Sequence, residues 1–100
     1  MTIAISVYTK LLRDIRFDLA KRAITLAERG LDFVDAPFVF ADQIYTGEDD
    51  RFDYGEIRWV TYGYLDKRAV VVVWIECDGV RRIISMRHAH EEEMANVRLG

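Results

Sequence analysis

The sequence predicts an α+β fold in which two helices precede an antiparallel β-meander and one helix follows it. Three observations carry that prediction. Ala69 to Cys77 is an almost unbroken β-branched and aromatic run holding Val70, Val71, Val72, Val73, Trp74 and Ile75, the composition of a buried strand. Asp78-Gly79 follows directly, and this dipeptide suits a type I′ hairpin, whose central residues both need positive φ. Near the other end, Leu19, Arg22, Ala23, Leu26 and Ala27 recur at helical spacing between Asp18 and Gly30.

In chain order, residues 1–14 read as an extension or a first strand, with Ile3, Ala4, Ile5 and Val7 as its apolar content. Asp18 is a good N-cap and Gly30 a good C-terminal stop, so the first helix is placed at Leu19 to Arg29. Asp32 can cap a second helix carrying Phe33, Ala36, Val39 and Phe40 and ending near Asp42, with Pro37 tolerable because it falls in the first turn. Gln43 to Glu56 reads as a short strand and then an acidic loop. Ile57 to Leu65 is the first meander strand, Asp66-Lys67-Arg68 the polar break after it, and Val80 to Arg87 the last strand. Ala89 to Val97, with Glu91, Glu92, Glu93 and Met94, is the expected final helix.

The last strand carries a puzzle. Strict alternation puts Arg82, Ile84 and Met86 on one face and Arg81, Ile83, Ser85 and Arg87 on the other. Either a bulge re-aims a side chain, or one arginine set faces a concave surface while the other snorkels out at the edge.

With 100 residues, no repeats, no low-complexity tract and one proline, residues 1–100 are expected to be a single domain. No apolar run approaches the roughly 20 residues of a membrane span. The first basic residue of the apolar N-terminus is Lys10, the wrong order for a secretory leader. The lone Cys77 excludes an intramolecular disulfide and a cysteine-based metal site. A cytoplasmic protein without cofactor or membrane association is expected.

The net charge of −3 argues against a free-standing nucleic-acid binder. Its distribution matters more. Residues 1–22 carry five basic against two acidic residues, residues 23–56 two against nine, and the remainder seven against six. The acidic middle block therefore masks a basic first helix and a basic sheet, which could form one positive patch.

Phe17-Asp18-Leu19-Ala20-Lys21-Arg22, Glu28-Arg29-Gly30-Leu31-Asp32-Phe33, Ala36, Val39-Phe40-Ala41-Asp42, Arg58, Gly63, Ile83-Ile84-Ser85-Met86-Arg87 and the Glu91 to Glu93 group follow one another along the chain. Together, in this order and spacing, they resemble the BrnT toxins of bacterial type II toxin-antitoxin modules. The resemblance implies a RelE-like α+β fold and an RNA-cleaving toxin that shuts down translation. It also implies a BrnA-like ribbon-helix-helix antitoxin, with the two chains assembling as a heterotetramer that reaches operator DNA through the antitoxin. The chain departs from the family at Phe17, where tryptophan is usual, and at Glu28-Arg29, where Lys-His is usual.

RNA cleavage without a metal needs a base for the 2′-hydroxyl, cations for the crowded phosphorane and an acid for the leaving oxygen. Arginine supplies the cationic function in bidentate form, and Arg58, Arg82 and Arg87 are the candidates, with Lys21 adding a further cation. By resemblance Lys21, Arg58 and Arg87 match family positions. For acid and base, Glu56, His88 and His90 are available, with Tyr62 and Tyr64 as weaker options. His88 adjoins Arg87, and Glu56 lies two residues before Arg58. The block Glu91 to Glu93 reads most simply as a solvated helix surface, and Trp59, Tyr62, Tyr64 and Trp74 as core or interface.

Overall fold

A computed structural model describes residues 15–49 and 55–99. The extension or strand expected at residues 1–14 and the acidic loop at residues 50–54 lie outside the described residues. The order of elements is β1 (Ile15–Phe17), α1 (Leu19–Arg29), a 3₁₀ turn (Phe33–Asp35), α2 (Ala36–Ala41), β2 (Gln43–Glu48), β3 (Trp59–Leu65), β4 (Arg68–Cys77), β5 (Val80–His88) and α3 (Glu91–Leu99).

α1 starts and stops where its capping residues dictate. Asp18 Oδ1 accepts the Lys21 amide at 3.0 Å, and Gly30 takes φ +68° with its N–H on the Leu26 carbonyl, the left-handed cap that glycine adopts without a Cβ penalty. The second helix differs from expectation. Asp32 caps only the 3₁₀ turn, which closes with Ala36 N–H on Phe33 O, and α2 begins afresh with Pro37 in its first turn. Pro37 has no N–H to give to the Phe33 carbonyl, so one α-helical hydrogen-bond ladder cannot run through it.

The five strands lie in the order β1-β5-β4-β3-β2. The β3-β4 and β4-β5 pairs are antiparallel, as expected of the meander, and β2 adds to it antiparallel through β3, but β1 pairs parallel with β5 through Ile15↔Arg81, Arg16↔Arg82 and Phe17↔Ile83. The purely antiparallel sheet is thus corrected to a mixed one. A three-residue strand is too short to announce itself by periodicity, and its parallel direction depends on the crossover that follows it.

Two register shifts interrupt the pairing. In β5, Val73 pairs with Ser85 and Trp74 with Ile83, leaving Ile84 unpaired. In β2, Gln43 pairs with Gly63 but Tyr45 with Tyr62, leaving Ile44 unpaired. Each extra residue turns the side chains beyond it onto the other face.

α1 and α2 cover one face of the sheet. Phe33, Val39, Val70, Val72, Ile83 and Met86 are fully buried there, and Trp74 stacks on Trp59 and meets Phe40 edge-on. Gly63 lets α2 close on β3, because a Cβ would lie 2.5 Å from the Val39 carbonyl oxygen and 2.9 Å from that of Asp42. Buried Thr61 accepts the Trp74 indole N–H at 2.9 Å and shares a 2.8 Å hydroxyl contact with Thr46, so the Thr61 hydroxyl and the Trp74 indole are satisfied inside the core.

Candidate functional site

The bulge at Ile84 resolves the arginine puzzle. It puts Ile83 and Met86 together in the core while Arg82 and Arg87, five residues apart, share the face turned away from α1 and α2. Arg16 lies opposite Arg82 on β1, and both are exposed. Arg81 goes to the helix-covered side, where its guanidinium stacks 4.2 Å from the Phe40 ring centre and 5.0 Å from that of Trp74. One residue of insertion therefore separates a structural arginine from two that a ligand can meet.

Arg87 is engaged end-on by α3. Its Nη1 donates to Glu93 Oε1 at 2.7 Å and its Nη2 to Oε2 at 2.8 Å, a bidentate pair of the strong kind. Glu93 stands three residues after His90 and also accepts the His90 amide at 3.0 Å, the reach-back of a helix-capping carboxylate. The Arg87 guanidinium foremost, with the His90 amide assisting against the cost of burial, holds the Glu93 carboxyl well below the usual range, at about 2. Tyr62 Oη reaches Glu93 Oε2 at 3.4 Å.

These groups line a cleft of about 340 Å³ together with Tyr45, Gly47, Glu48, Asp49, Val60, Val71 and Val73. Tyr45 and Tyr62 face each other across the strands with ring centres 6.3 Å apart. Anion-binding cation, carboxylate and phenol thus converge in a concave setting, the combination that proton transfer beside a phosphate requires. Among the described residues no three of His, Cys, Asp and Glu gather in a metal-sized cluster.

The other predicted residues are distributed around this centre. Glu56 and Arg58 precede β3 rather than opening it; Glu56 is exposed, and its Oε1 sits 3.7 Å from Arg58 Nε. Arg58 meets the cleft through its backbone, since its carbonyl accepts the N–H of Asp49 at 2.7 Å. Lys21 is exposed on α1 beside Asp18, whose carboxyl is lowered chiefly by the Lys21 amide, with the charges of Lys21 and Arg82 adding to it. Lys21 and Arg82 therefore sit at the β1 end of the sheet. His88 is turned to the helix-covered side, where its Nε2 lies 3.3 Å from the Arg29 carbonyl and Arg29 Nη1 donates to Met86 O at 2.8 Å. It braces the end of α1 and is not in the cleft with Arg87.

Two cleft residues escape a reading of the sequence. Glu93 looks like one more member of an acidic run, yet only Glu91 and Glu92 are exposed while Glu93 is half-buried in its ion pair. Its spacing of three from the helix start was the available signal. Tyr45 gives no signal at all, because its face depends on the bulge at Ile44.

No helix among the described residues is long and apolar enough to cross a membrane. No curated protein matches the chain. The model of the family described as the ribonuclease toxin BrnT of type II toxin-antitoxin systems matches residues 17–93, a span that runs from β1 through Glu93 and so contains the whole cleft. With that match over most of its length, the chain belongs to the BrnT family of ribonuclease toxins, whose members act within toxin-antitoxin pairs.

Proposed function

We propose that this chain is an endoribonuclease that cleaves messenger RNA without a metal, stops translation, and is neutralised by a BrnA-like ribbon-helix-helix antitoxin. The observation that carries the reading is Arg87, set in a concave face and paired end-on with a carboxylate that is coupled to a tyrosine. In this reading a phosphate displaces Glu93 from Arg87, since planar carboxylate and tetrahedral phosphodiester alike offer a pair of anionic oxygens that one guanidinium can hold in bidentate fashion. Loss of the arginine raises the proton affinity of Glu93, so the same exchange that binds the scissile phosphate converts Glu93 from a clamp into a base for the 2′-hydroxyl. Tyr62 is the proton donor next to it. Arg82 and Arg16 extend the positive track along the face, and Arg58 supports the far end.

The fold is proposed to be RelE-like, residues 1–100 to act as one cytoplasmic domain, and operator DNA to be met only through the antitoxin in a heterotetramer. A protein partner is supported by α1, which contains no buried residue and leaves the apolar side chains of Leu19 and Ile24 more than half exposed.

The test is cleavage of a messenger RNA by the purified, antitoxin-free chain in EDTA, beside Arg87→Ala and Arg82→Ala variants whose folding is checked by circular dichroism. Cutting by the parent, with a loss of about 10² to 10³ in Arg87→Ala and a smaller loss in Arg82→Ala, is expected. Absence of cutting on free RNA and on translating ribosomes alike removes the catalytic reading.

A further inference from the structure

Two irregularities in the sheet converge on the same cleft. The β5 bulge presents Arg87; the β2 bulge presents Tyr45, which without Ile44 as an extra residue would fall on the helix-covered side. Bulges commonly re-aim side chains beside functional sites. Tyr45 is also given room by its neighbour. Its ring lies across Gly47, where a Cβ would come within 2.7 Å of Tyr45 Cζ and closer still to the hydroxyl. Tyr45 is 47% exposed, too open to be a core residue, and Tyr62 flanks its ring on the cleft side.

Resting on the ribonuclease reading above, we propose that Tyr45 is the stacking platform for one base of single-stranded RNA, held in the cleft whose other end carries the phosphate that Arg87 binds. A ring on β2, three strands across the sheet from Arg87 on β5 but lining the same cleft, supplies with that guanidinium the two parts that single-strand recognition combines, a π-face for the base and a charge for the backbone. Gly47 is the residue that keeps the platform flat. Tyr62, whose hydroxyl points to Glu93, forms with its ring the edge against which the base is registered.

The experiment measures binding, so it does not depend on turnover. A short 2′-O-methylated RNA, which cannot be cut, is titrated by fluorescence anisotropy, together with a series in which each position in turn is abasic. Tyr45→Ala is expected to weaken binding by roughly 5- to 100-fold, the usual contribution of one stacked base, while Tyr45→Phe stays close to the parent. Gly47→Val, which dislodges the ring without removing it, should resemble Tyr45→Ala. One abasic position should weaken the parent and leave Tyr45→Ala unaffected. Equal affinities for parent and Tyr45→Ala, or an abasic penalty identical in both, overturn the platform while leaving the ribonuclease reading standing. A parent that neither binds nor cuts any RNA overturns that reading, and the platform with it.

Discussion

Glu93 is asked to do two things at once, and they can be separated. It caps α3 through the His90 amide and clamps Arg87 through both carboxylate oxygens. In Glu93→Gln the clamp loses its charge, so uncleavable RNA should bind a few-fold more tightly to Arg87, whereas cleavage should fall by about 10² or more if Glu93 is the base as proposed. Anisotropy and a cleavage assay on the same preparation check both arms. The pair also has an acid signature. Its folded pKa lies below the ordinary value of 4.5, at about 2, so its contribution to stability is complete above the ordinary value and fades as pH falls from there through about 2. Denaturant titrations across that window should show Glu93→Gln losing less stability with acid than the parent. Asp32 adds to the same trend, being lowered by its bond to Arg22, while Asp35 opposes it, pushed up by burial and then by the Asp32 and Asp66 carboxylates.

At the scale of elements, the two helices that back the sheet are positioned by glycines for different reasons. Gly63 lies under α2, and the atoms a methyl group would strike are backbone oxygens that cannot swing aside. Gly63→Ala should therefore lift α2 from β3 and cost about 1 to 3 kcal/mol, as overpacking does, read as a lowered thermal midpoint. Gly30 meets no such neighbour; its need is the positive φ of the cap. Gly30→Ala should cost about 1 kcal/mol, with the near-ultraviolet spectrum of the core retained.

The whole molecule is acidic, at −3, yet Arg16, Arg82 and Arg87 share one face of its sheet. Affinity for RNA is expected to fall with salt as a protein making two or three phosphate contacts, at a slope of about −0.7 per contact in log–log form. Arg82→Ala should reduce that slope by about one contact while leaving the abasic profile of the Tyr45 position unchanged. A slope near zero in the parent would place the arginines in protein contacts instead.

Much of this was readable in the chain because it depends on neighbours in sequence. Asp18 and Gly30 delimit α1 through their own side chain and dihedral, the valine run and Asp78-Gly79 produce β4 and its hairpin, and Arg87 stands out in its strand by charge alone. The split of the second helix at Pro37 was a matter of degree, since the missing N–H was visible and only its consequence for the hydrogen-bond ladder was not. What alternation along a strand could not supply was the face of each residue beyond a bulge. A single unpaired residue at Ile84 or Ile44 reverses the parity of everything after it, and it is placed by pairing with a distant strand rather than by local preference. So the sequence shows Arg82 and Arg87 as candidates but not as companions, His88 adjoins Arg87 in the chain yet faces the opposite side, and only the sheet and α3 bring Tyr45 and Glu93 into the cleft of the guanidinium. Local chemistry sets the elements; long-range register, which no short window of sequence contains, sets which side chains meet.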